Sequence, residues 1–247
     1  MSNVETHFHL LPGIDDGPAS LDESVFLATA ARADGTHTIV ATPHIHPAYP
    51  NDPLEIPARV RELSQRLRRE RLGLQVLAGG ELAHDMVEGL SDRQLGAIAQ
   101  GPPGARWLLL EAPFSGIDDT FAKAADELRA RRFGVVVAHP ERSLGRDAGW
   151  RVLERELAAR SAMQLNAWSI AGLYGERVRL NALRLYQAAS TVVIASDAHG
   201  PERMPSLQLA VRALRAMGER APERLVGAAP RALLERGLRP AAAPLAA

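Results

Sequence analysis

Strand-like and helix-like patterns alternate along nearly the whole chain, and this alternation restricts the possible folds more than any other feature of the sequence. Short runs rich in Val, Ile, Leu and Ala are each followed by a longer segment in which apolar residues recur at helical spacing. The runs that predict strands cover residues 6–11, 37–42, 74–78, 107–110, 135–138, 163–166 and 191–195. Strands that alternate with helices form parallel sheets, so we expect an α/β fold, either a (β/α) barrel or an open doubly wound sheet.

The segments between these runs carry helix signals. Ser20 and Glu23 form a capping box, which predicts a helix that continues to about residue 33. Further helices are predicted at residues 58–71, 91–100, 119–132, 149–160, 176–189, 206–217, 222–226 and 230–236. No glycine-rich nucleotide fingerprint follows the first strand, which weakens the nucleotide-binding form of an open sheet. Since no change of composition divides the chain, we expect one domain over residues 1–240 and a disordered tail at 241–247.

The composition excludes several classes of function. The 29 basic and 29 acidic residues give a net charge of zero, so nothing favours nucleic acid or an anionic membrane as the main partner. Cysteine is absent, which rules out disulfides, thiolate metal sites and a cysteine nucleophile. We read no signal peptide and no membrane-spanning segment, and therefore expect a cytoplasmic protein without membrane insertion.

Polar residues follow the predicted strands at their carboxyl ends, which a parallel barrel gathers into one mouth. An isolated His-x-His pair, or any one of these residues alone, is more often structural. Two acidic residues, Asp15 and Asp16, lie in the turn after the first strand. The residues at the strand ends are His7, His9, His44, Glu81, Glu111, His139, Asp197 and His199. Together they exceed the four ligands of one zinc ion and predict a site for two or three ions, for which Mn, Fe or Zn is suited by imidazole and carboxylate ligands.

Five short motifs identify a possible family. They are His7-Phe8-His9, Leu-Pro-Gly-Ile-Asp-Asp-Gly-Pro at 11–18, Thr-Ile-Val-Ala-Thr-Pro-His at 38–44, Ala-His-Pro-Glu-Arg at 138–142 and Ala-Ser-Asp-Ala-His at 195–199. This set resembles the polymerase-and-histidinol-phosphatase (PHP) superfamily, and more closely the bacterial metal-dependent protein-tyrosine phosphatases of capsule and exopolysaccharide loci. The resemblance extends from residue 7 to residue 203, and the Asp-Asp-Gly-Pro and His-Pro-Glu-Arg elements are specific to that branch.

The resemblance implies a single-domain, TIM-barrel-like fold, a distorted (β/α)7 barrel, with a trinuclear site in which Mn2+ is the favoured ion. The implied ligands of the first ion are His7, His9, Glu81 and Asp197. Glu81 would bridge to a second ion completed by Glu111 and His139, and Asp16, His44 and His199 would hold the third, with Asp15 a less favoured substitute for Asp16. Arg142 would bind phosphate, and Arg203 matches a second phosphate-binding arginine only after a gap of one residue.

The chain departs from the family pattern at two places. Glu5-Thr6 stands before the His-x-His motif, where the family usually has Asp followed by Ile or Val. Ala112 follows Glu111 where an aromatic residue is common. Neither change removes a ligand, but the first could alter the support of the opening histidines.

The implied activity is hydrolysis of phosphotyrosine by a metal-activated hydroxide. The implied partner is the phosphotyrosine-containing tail of a bacterial tyrosine kinase that controls polysaccharide export. A small phosphomonoester such as histidinol phosphate is the alternative substrate, and an open mouth would favour a peptide over such a metabolite. A non-catalytic metal-binding regulatory module and a metal-dependent amidohydrolase are alternatives from other classes, although the two branch-specific motifs argue against the amidohydrolase.

Overall fold

The structure, a computed structural model, describes residues 2–144 and 148–240. The predicted disordered tail at 241–247 lies outside the described residues, and the assignment of residues 1–240 to one domain stays a prediction. In the described ranges, no helix has the length and apolar character needed to cross a membrane.

Short parallel strands alternate with helices, as the sequence predicts. The strands of the described ranges are β1 (Asn3–Phe8), β2 (Thr36–Ala41), β3 (His44–Ile45), β4 (Gln75–Ala78), β5 (Glu81–Ala83), β6 (Trp107–Glu111), β7 (Gly134–Ala138), β8 (Ala162–Asn166) and β9 (Val192–Ala195). The helices are α1 (Leu21–Ala33), α2 (Ile56–Arg69), α3 (Asp92–Ile98), α4 (Asp119–Ala130), α5 (Pro140–Ser143), α6 (Ala148–Ala158), α7 (Ala167–Ala171), α8 (Glu176–Ala188), α9 (Leu207–Ala216) and α10 (Ala228–Arg236). Two 3₁₀ turns complete the set, His84–Met86 and Pro222–Leu225.

The strands form two parallel sheets that meet in a ring. One sheet has the order β1-β2-β4 and the other the order β3-β5-β6-β7-β8-β9. The chain passes directly from β2 to β3 and from β4 to β5, so these segments continue one another from sheet to sheet. On the other side Phe8 pairs with Ala198, just after β9, and the His9 amide donates to the Ala198 carbonyl over 2.9 Å. The α/β class and the distorted (β/α)7 barrel are thus confirmed.

Two short strands, β3 and β5, were not predicted, and each follows a predicted strand after a break of two residues. Pro43 separates β2 from β3, because proline has no amide hydrogen for the ladder. Gly79 and Gly80 separate β4 from β5, and a Cβ atom at Gly79 would lie 2.5 Å from Cγ1 of Val40. His44 and Glu81 come after these breaks and therefore lie in the second sheet, in β3 and β5.

The helices begin and end close to their predicted positions. The Ser20 hydroxyl accepts the Glu23 amide over 3.2 Å at the start of α1, which confirms this cap, whereas the Glu23 carboxylate accepts the Ala19 amide instead of the Ser20 amide. The helices α5 and α7, which follow β7 and β8, were not predicted from the sequence. Each has only four or five residues, too few for apolar periodicity to show.

The inner face of the ring is apolar at one end and polar at the other. Side chains two residues apart share a face of a strand, so Trp107 and Leu109 of β6 lead to Glu111 at its carboxyl end. Trp107 and Leu109 pack with Val136, Val193 and Leu233 in one buried cluster. The Trp107 indole donates to the Leu233 carbonyl over 2.9 Å, which anchors α10 to the strands. This packing leaves the carboxyl ends of the strands for polar side chains.

Candidate metal centre

The structure brings all the predicted ligands together at the carboxyl ends of the strands. His7 is on β1, and His9 follows that strand by one residue. His44 and Glu81 begin β3 and β5, which follow the ends of β2 and β4. Glu111 is the last residue of β6, His139 follows β7, Asp197 and His199 follow β9, and Asp16 lies in the loop after β1. Eight of these nine residues fall into three overlapping groups whose ligand atoms lie within 4.8 Å of one another. The ninth, His139, contacts Glu81.

The first group consists of His7, His9, Glu81 and Asp197, all buried. Nε2 of His7 lies 3.1 Å from Oε2 of Glu81 and 3.3 Å from Oδ1 of Asp197. Nε2 of His9 lies 3.2 Å and 3.6 Å from the same two oxygens, and the two Nε2 atoms are 3.3 Å apart. Ligands held about 2.1 Å from a tetrahedral ion are ~3.4 Å from one another. The four atoms therefore have the spacing of a metal shell.

Glu81 connects this group to the second. Its Oε2 also lies 3.2 Å from Nδ1 of His44, and Oε2 of Glu111 is 3.9 Å from that nitrogen. Its Oε1 lies 2.8 Å from Nε2 of His139. His44, not the predicted His139, thus joins Glu81 and Glu111 in a compact trio. Nδ1 of His44 and Nδ1 of His139 are buried without a hydrogen-bond partner in the described part of the chain.

The third group contains Asp16 but not the adjacent Asp15, because the two side chains point in different directions. Oδ1 of Asp16 lies 3.3 Å from Nε2 of His44 and 3.4 Å from Nε2 of His199, and His9 belongs to the same group. Asp15 points elsewhere: its Oδ2 accepts Nδ1 of His9 over 2.8 Å and the His44 amide over 3.0 Å. Asp16 faces the group, and Asp15 supports one of its members from behind.

Three histidines are fixed in the tautomer that a metal requires. Nδ1 of His7 donates to Oε1 of Gln164 over 2.9 Å, Nδ1 of His9 donates to Asp15, and Nδ1 of His199 donates to the Asp197 carbonyl over 2.9 Å. Each Nε2 of a neutral ring is then a bare acceptor. The Nε2 atoms of His7 and His9 face each other and carboxylate oxygens. The lone pairs of these atoms repel one another unless a positive charge lies between them.

Gln164 is a functional residue that was not predicted from the sequence. The residue lies in β8, on a strand whose five residues are all buried. Its Oε1 accepts both Nδ1 of His7 and the His139 amide, the latter over 3.2 Å. The sequence does show a glutamine within a predicted buried strand. A buried amide needs hydrogen-bond partners, so this residue was a candidate for a supporting role.

The pKa values report the same need for positive charge. Burial lowers the pKa of His9, but the carboxylates of Asp15 and Glu81 outweigh it and raise the pKa to about 10. Burial and the Glu81 carboxylate raise the pKa of Glu111 to about 8. Burial opposes ionisation of Asp197 too, yet the surrounding His7, His139 and Arg203 lower its pKa to about 2. Buried carboxylates and imidazoles in this cluster thus stabilise one another's charges.

Two residues of the cluster have backbone conformations that are unfavourable for side chains with a Cβ atom. His139 has φ 34° and Asp197 has φ 52°, both in the left-handed region. The other non-glycine residues with positive φ in the described ranges are Arg71, Arg132 and Arg160. Such strain persists where surrounding contacts fix it, most often at functional sites.

The two predicted phosphate-binding arginines lie beside the cluster. Nη1 of Arg142 and Nη1 of Arg203 approach Oδ2 of Asp197, at 3.1 Å and 2.8 Å. The same oxygen accepts Nδ2 of Asn166 over 3.0 Å. Oδ1 of Asp197 therefore faces histidines and Oδ2 faces cations, and both guanidinium groups lie next to the first group.

The unusual Glu5 supports the cluster indirectly. Its side chain is fully buried, and Oε2 accepts the Ser196 amide over 2.9 Å. Burial raises the pKa of Glu5 to about 8, although the Ser196 contacts lower it in part. Glu5 thus holds the backbone next to Asp197, and an effect of Glu5 on the opening histidines stays a prediction.

Parallel strands that alternate with helices, with a buried cluster of His, Asp and Glu side chains beside the strand ends, define an α/β barrel protein whose site could hold metal ions. Residues 3–235 match the model of the family described as capsular polysaccharide synthesis, CpsB/CapC, and the chain belongs to this family. The resemblance inferred from the motifs is confirmed, and the amidohydrolase alternative is set aside.

Individual relatives agree with the family. Tyrosine-protein phosphatase YwqE of Bacillus subtilis (strain 168) is 31% identical over 199 residues, which cover 79% of this chain and 77% of YwqE. A chain from the crystal structures of YwqE and of CpsB from Streptococcus pneumoniae, described as unique metal-dependent tyrosine phosphatases, superposes with a TM-score of 0.76 at 29% identity, covering 99% of this chain and all of that chain. Histidinol phosphate phosphatase from Lactococcus lactis covers 87% of this chain and 92% of its own, with a TM-score of 0.52 at 13% identity, and shares the fold alone.

Proposed function

We propose that this protein is a metal-dependent protein-tyrosine phosphatase, a phosphoric monoester hydrolase. The observation that carries the proposal is the pair of buried Nε2 atoms of His7 and His9 that face oxygens of Glu81 and Asp197 at 3.1 to 3.6 Å. The proposed ligands of two or three ions, with Mn2+ first and Fe or Zn as alternatives, are His7, His9, Asp16, His44, Glu81, Glu111, His139, Asp197 and His199. Family membership and the names of the relatives support the same activity.

Different residues of the chain would have different roles in the reaction. Divalent ions in such a cluster supply a nucleophile at neutral pH and stabilise charge on phosphoryl oxygens. Asp15 and Gln164 hold His9 and His7 in the ligand tautomer. A guanidinium has five N–H donors, so Arg142 and Arg203 can bind phosphoryl oxygens while each contacts Asp197. Because the chain has no cysteine, no cysteinyl-phosphate intermediate takes part.

The proposed substrate is the phosphotyrosine-containing tail of a bacterial tyrosine kinase that regulates capsular or exopolysaccharide synthesis, which would place the reaction in the cytoplasm. Accessibility of the mouth supports a peptide over a metabolite. The Asp16 side chain is 45% exposed, and a cavity of about 300 Å³ adjoins it, lined by residues that include His199 and Arg203. A phosphorylated side chain on a flexible tail can reach such a mouth.

The test compares two substrates and two variants. Protein loaded in turn with Mn, Fe, Zn or Mg is assayed on a phosphotyrosine peptide and on histidinol phosphate. We expect faster turnover of the peptide, and a loss of at least about tenfold in His139→Gln, which loses a proposed ligand. The matched control is His37→Gln, because His37 lies near the amino end of β2 and its ring is hydrogen-bonded to the nearby Gly35 carbonyl at 3.1 Å; this change should leave turnover unchanged.

Each contrary result selects a different conclusion. Unchanged turnover in metal-loaded His139→Gln would contradict its role as a ligand. Preference for histidinol phosphate would assign a small phosphomonoester as substrate. Tight binding of Mn without hydrolysis of any phosphoester would make the protein a non-catalytic metal-binding module.

A further inference from the structure

An exposed phenylalanine lies against the metal cluster. Phe114 is in the loop after β6, three residues past Glu111, and is 58% exposed. Its ring is parallel to that of His139, with an angle of 5° between the planes and 5.4 Å between the ring centroids. A single exposed apolar side chain is ordinary on a protein surface. This one is different because it covers part of an imidazole whose Nε2 contacts Glu81.

Phe114 belongs to a row of aromatic rings at the mouth. The Arg142 guanidinium carbon lies 4.5 Å from the centroid of Phe114 and 4.4 Å from that of Tyr174, so the cation sits against two rings. Tyr174 in turn lies 5.7 Å from Trp168. We call Phe114, Tyr174 and Trp168 the aromatic rim. Phe114 lies in the loop after β6, Trp168 in α7 and Tyr174 in the loop after α7, so the rim exists only in the folded chain.

The geometry assigns Phe114 as the residue that contacts the aryl group of a phosphomonoester bound at the cluster, and so as a determinant of preference for aryl over alkyl phosphates. This inference rests on the proposed phosphatase function and adds a specificity residue to it. A phosphoryl group held between the metal ligands and Arg142 places its ester substituent next to the Phe114 ring, which adjoins both His139 and Arg142. Aromatic pairs gain from offset or edge-on contact, whereas a small alkyl group covers little of the ring.

The test separates recognition of the aryl group from support of the site. Inhibition of Mn-loaded enzyme by phenylphosphonate and by methylphosphonate is measured with a phosphotyrosine peptide as substrate. In Phe114→Ala we expect the inhibition constant of phenylphosphonate to rise roughly 3- to 10-fold and that of methylphosphonate to change less than about 2-fold. Phe114→Tyr should restore the preference. Phe26→Ala is the matched control, since Phe26 is 54% exposed and lies on α1.

The contrary outcomes are distinct. Equal weakening of both phosphonates would mean that Phe114 only holds Arg142 or His139 in place, and would overturn the assignment. Inhibition constants that both stay at their wild-type values would overturn it as well, while peptide turnover would leave the phosphatase function standing. Absence of peptide turnover in the metal-loaded wild type would contradict the proposed function, and the inference would fall with it.

Discussion

Replacing Asp15 by asparagine tests how much its hydrogen bond to the proposed ligand His9 contributes to metal binding, and it removes none of the proposed ligands. The carboxylate accepts three hydrogen bonds: Oδ2 from Nδ1 of His9 at 2.8 Å and from the His44 amide at 3.0 Å, and Oδ1 from the Gly17 amide at 2.9 Å. An amide has one oxygen, so in Asp15→Asn at least one of these donors faces an NH2 group. The bond to His9 also changes from charged to neutral, a loss of about 1 to 2 kcal/mol. This corresponds to roughly 5- to 30-fold weaker metal binding.

The assay is calorimetric titration of metal-free protein with Mn2+, combined with turnover of a phosphotyrosine peptide at saturating Mn2+. We expect Asp15→Asn to weaken at least one binding event by roughly tenfold and to leave the number of ions unchanged, whereas Asp16→Asn should remove one event. Asp52→Asn is the matched control, because Asp52 also accepts an amide two residues ahead, that of Leu54 at 3.0 Å, but lies on the surface outside the cluster. Wild-type affinity for Mn2+ in Asp15→Asn would refute the reasoning.

Three further predictions follow from the site. Removal of bound ions by a chelator should lower the melting temperature by roughly 5 to 10 °C. An ion at a free concentration 100 times its dissociation constant adds about 2.7 kcal/mol to the free energy of unfolding. An unchanged melting curve would contradict this prediction. Native Glu5 has its pKa raised to about 8, so the native state holds a proton that the unfolded state releases, and the free energy of unfolding should fall as pH rises from about 4.5 to 8. Glu5→Gln should remove that part of the decline in urea denaturation of metal-free protein, and parallel wild-type and variant profiles would exclude it. Arg142→Lys should lower kcat/KM for the peptide roughly 10- to 100-fold, since an ammonium cannot reproduce the planar contacts with Asp197, Phe114 and Tyr174; retention of wild-type kcat/KM would dismiss that role.

The order of strands and helices could be predicted because each pattern is local. The capping serine of α1 and the apolar run of β6 act on neighbouring residues, and both are where the sequence places them. The predicted strands end before Pro43 and Gly79, as β2 and β4 do, but the short strands β3 and β5 beyond these residues were missed. Whether a glycine interrupts a strand depends on what approaches it, here Val40 from the neighbouring strand position.

The sequence by itself determined which chemical groups the site contains: imidazoles and carboxylates at successive strand ends, without thiolates. Only the tertiary structure decided which atoms face one another. Asp16 contacts His44 and His199 while Asp15 turns to His9, although the two acids are adjacent in the chain. Gln164 reaches His7 across 157 positions, and Phe114 meets His139 because two loops share one mouth. Residue type is a local property that can be read along the chain, whereas ligand geometry depends on how the ring of strands closes between β1 and β9.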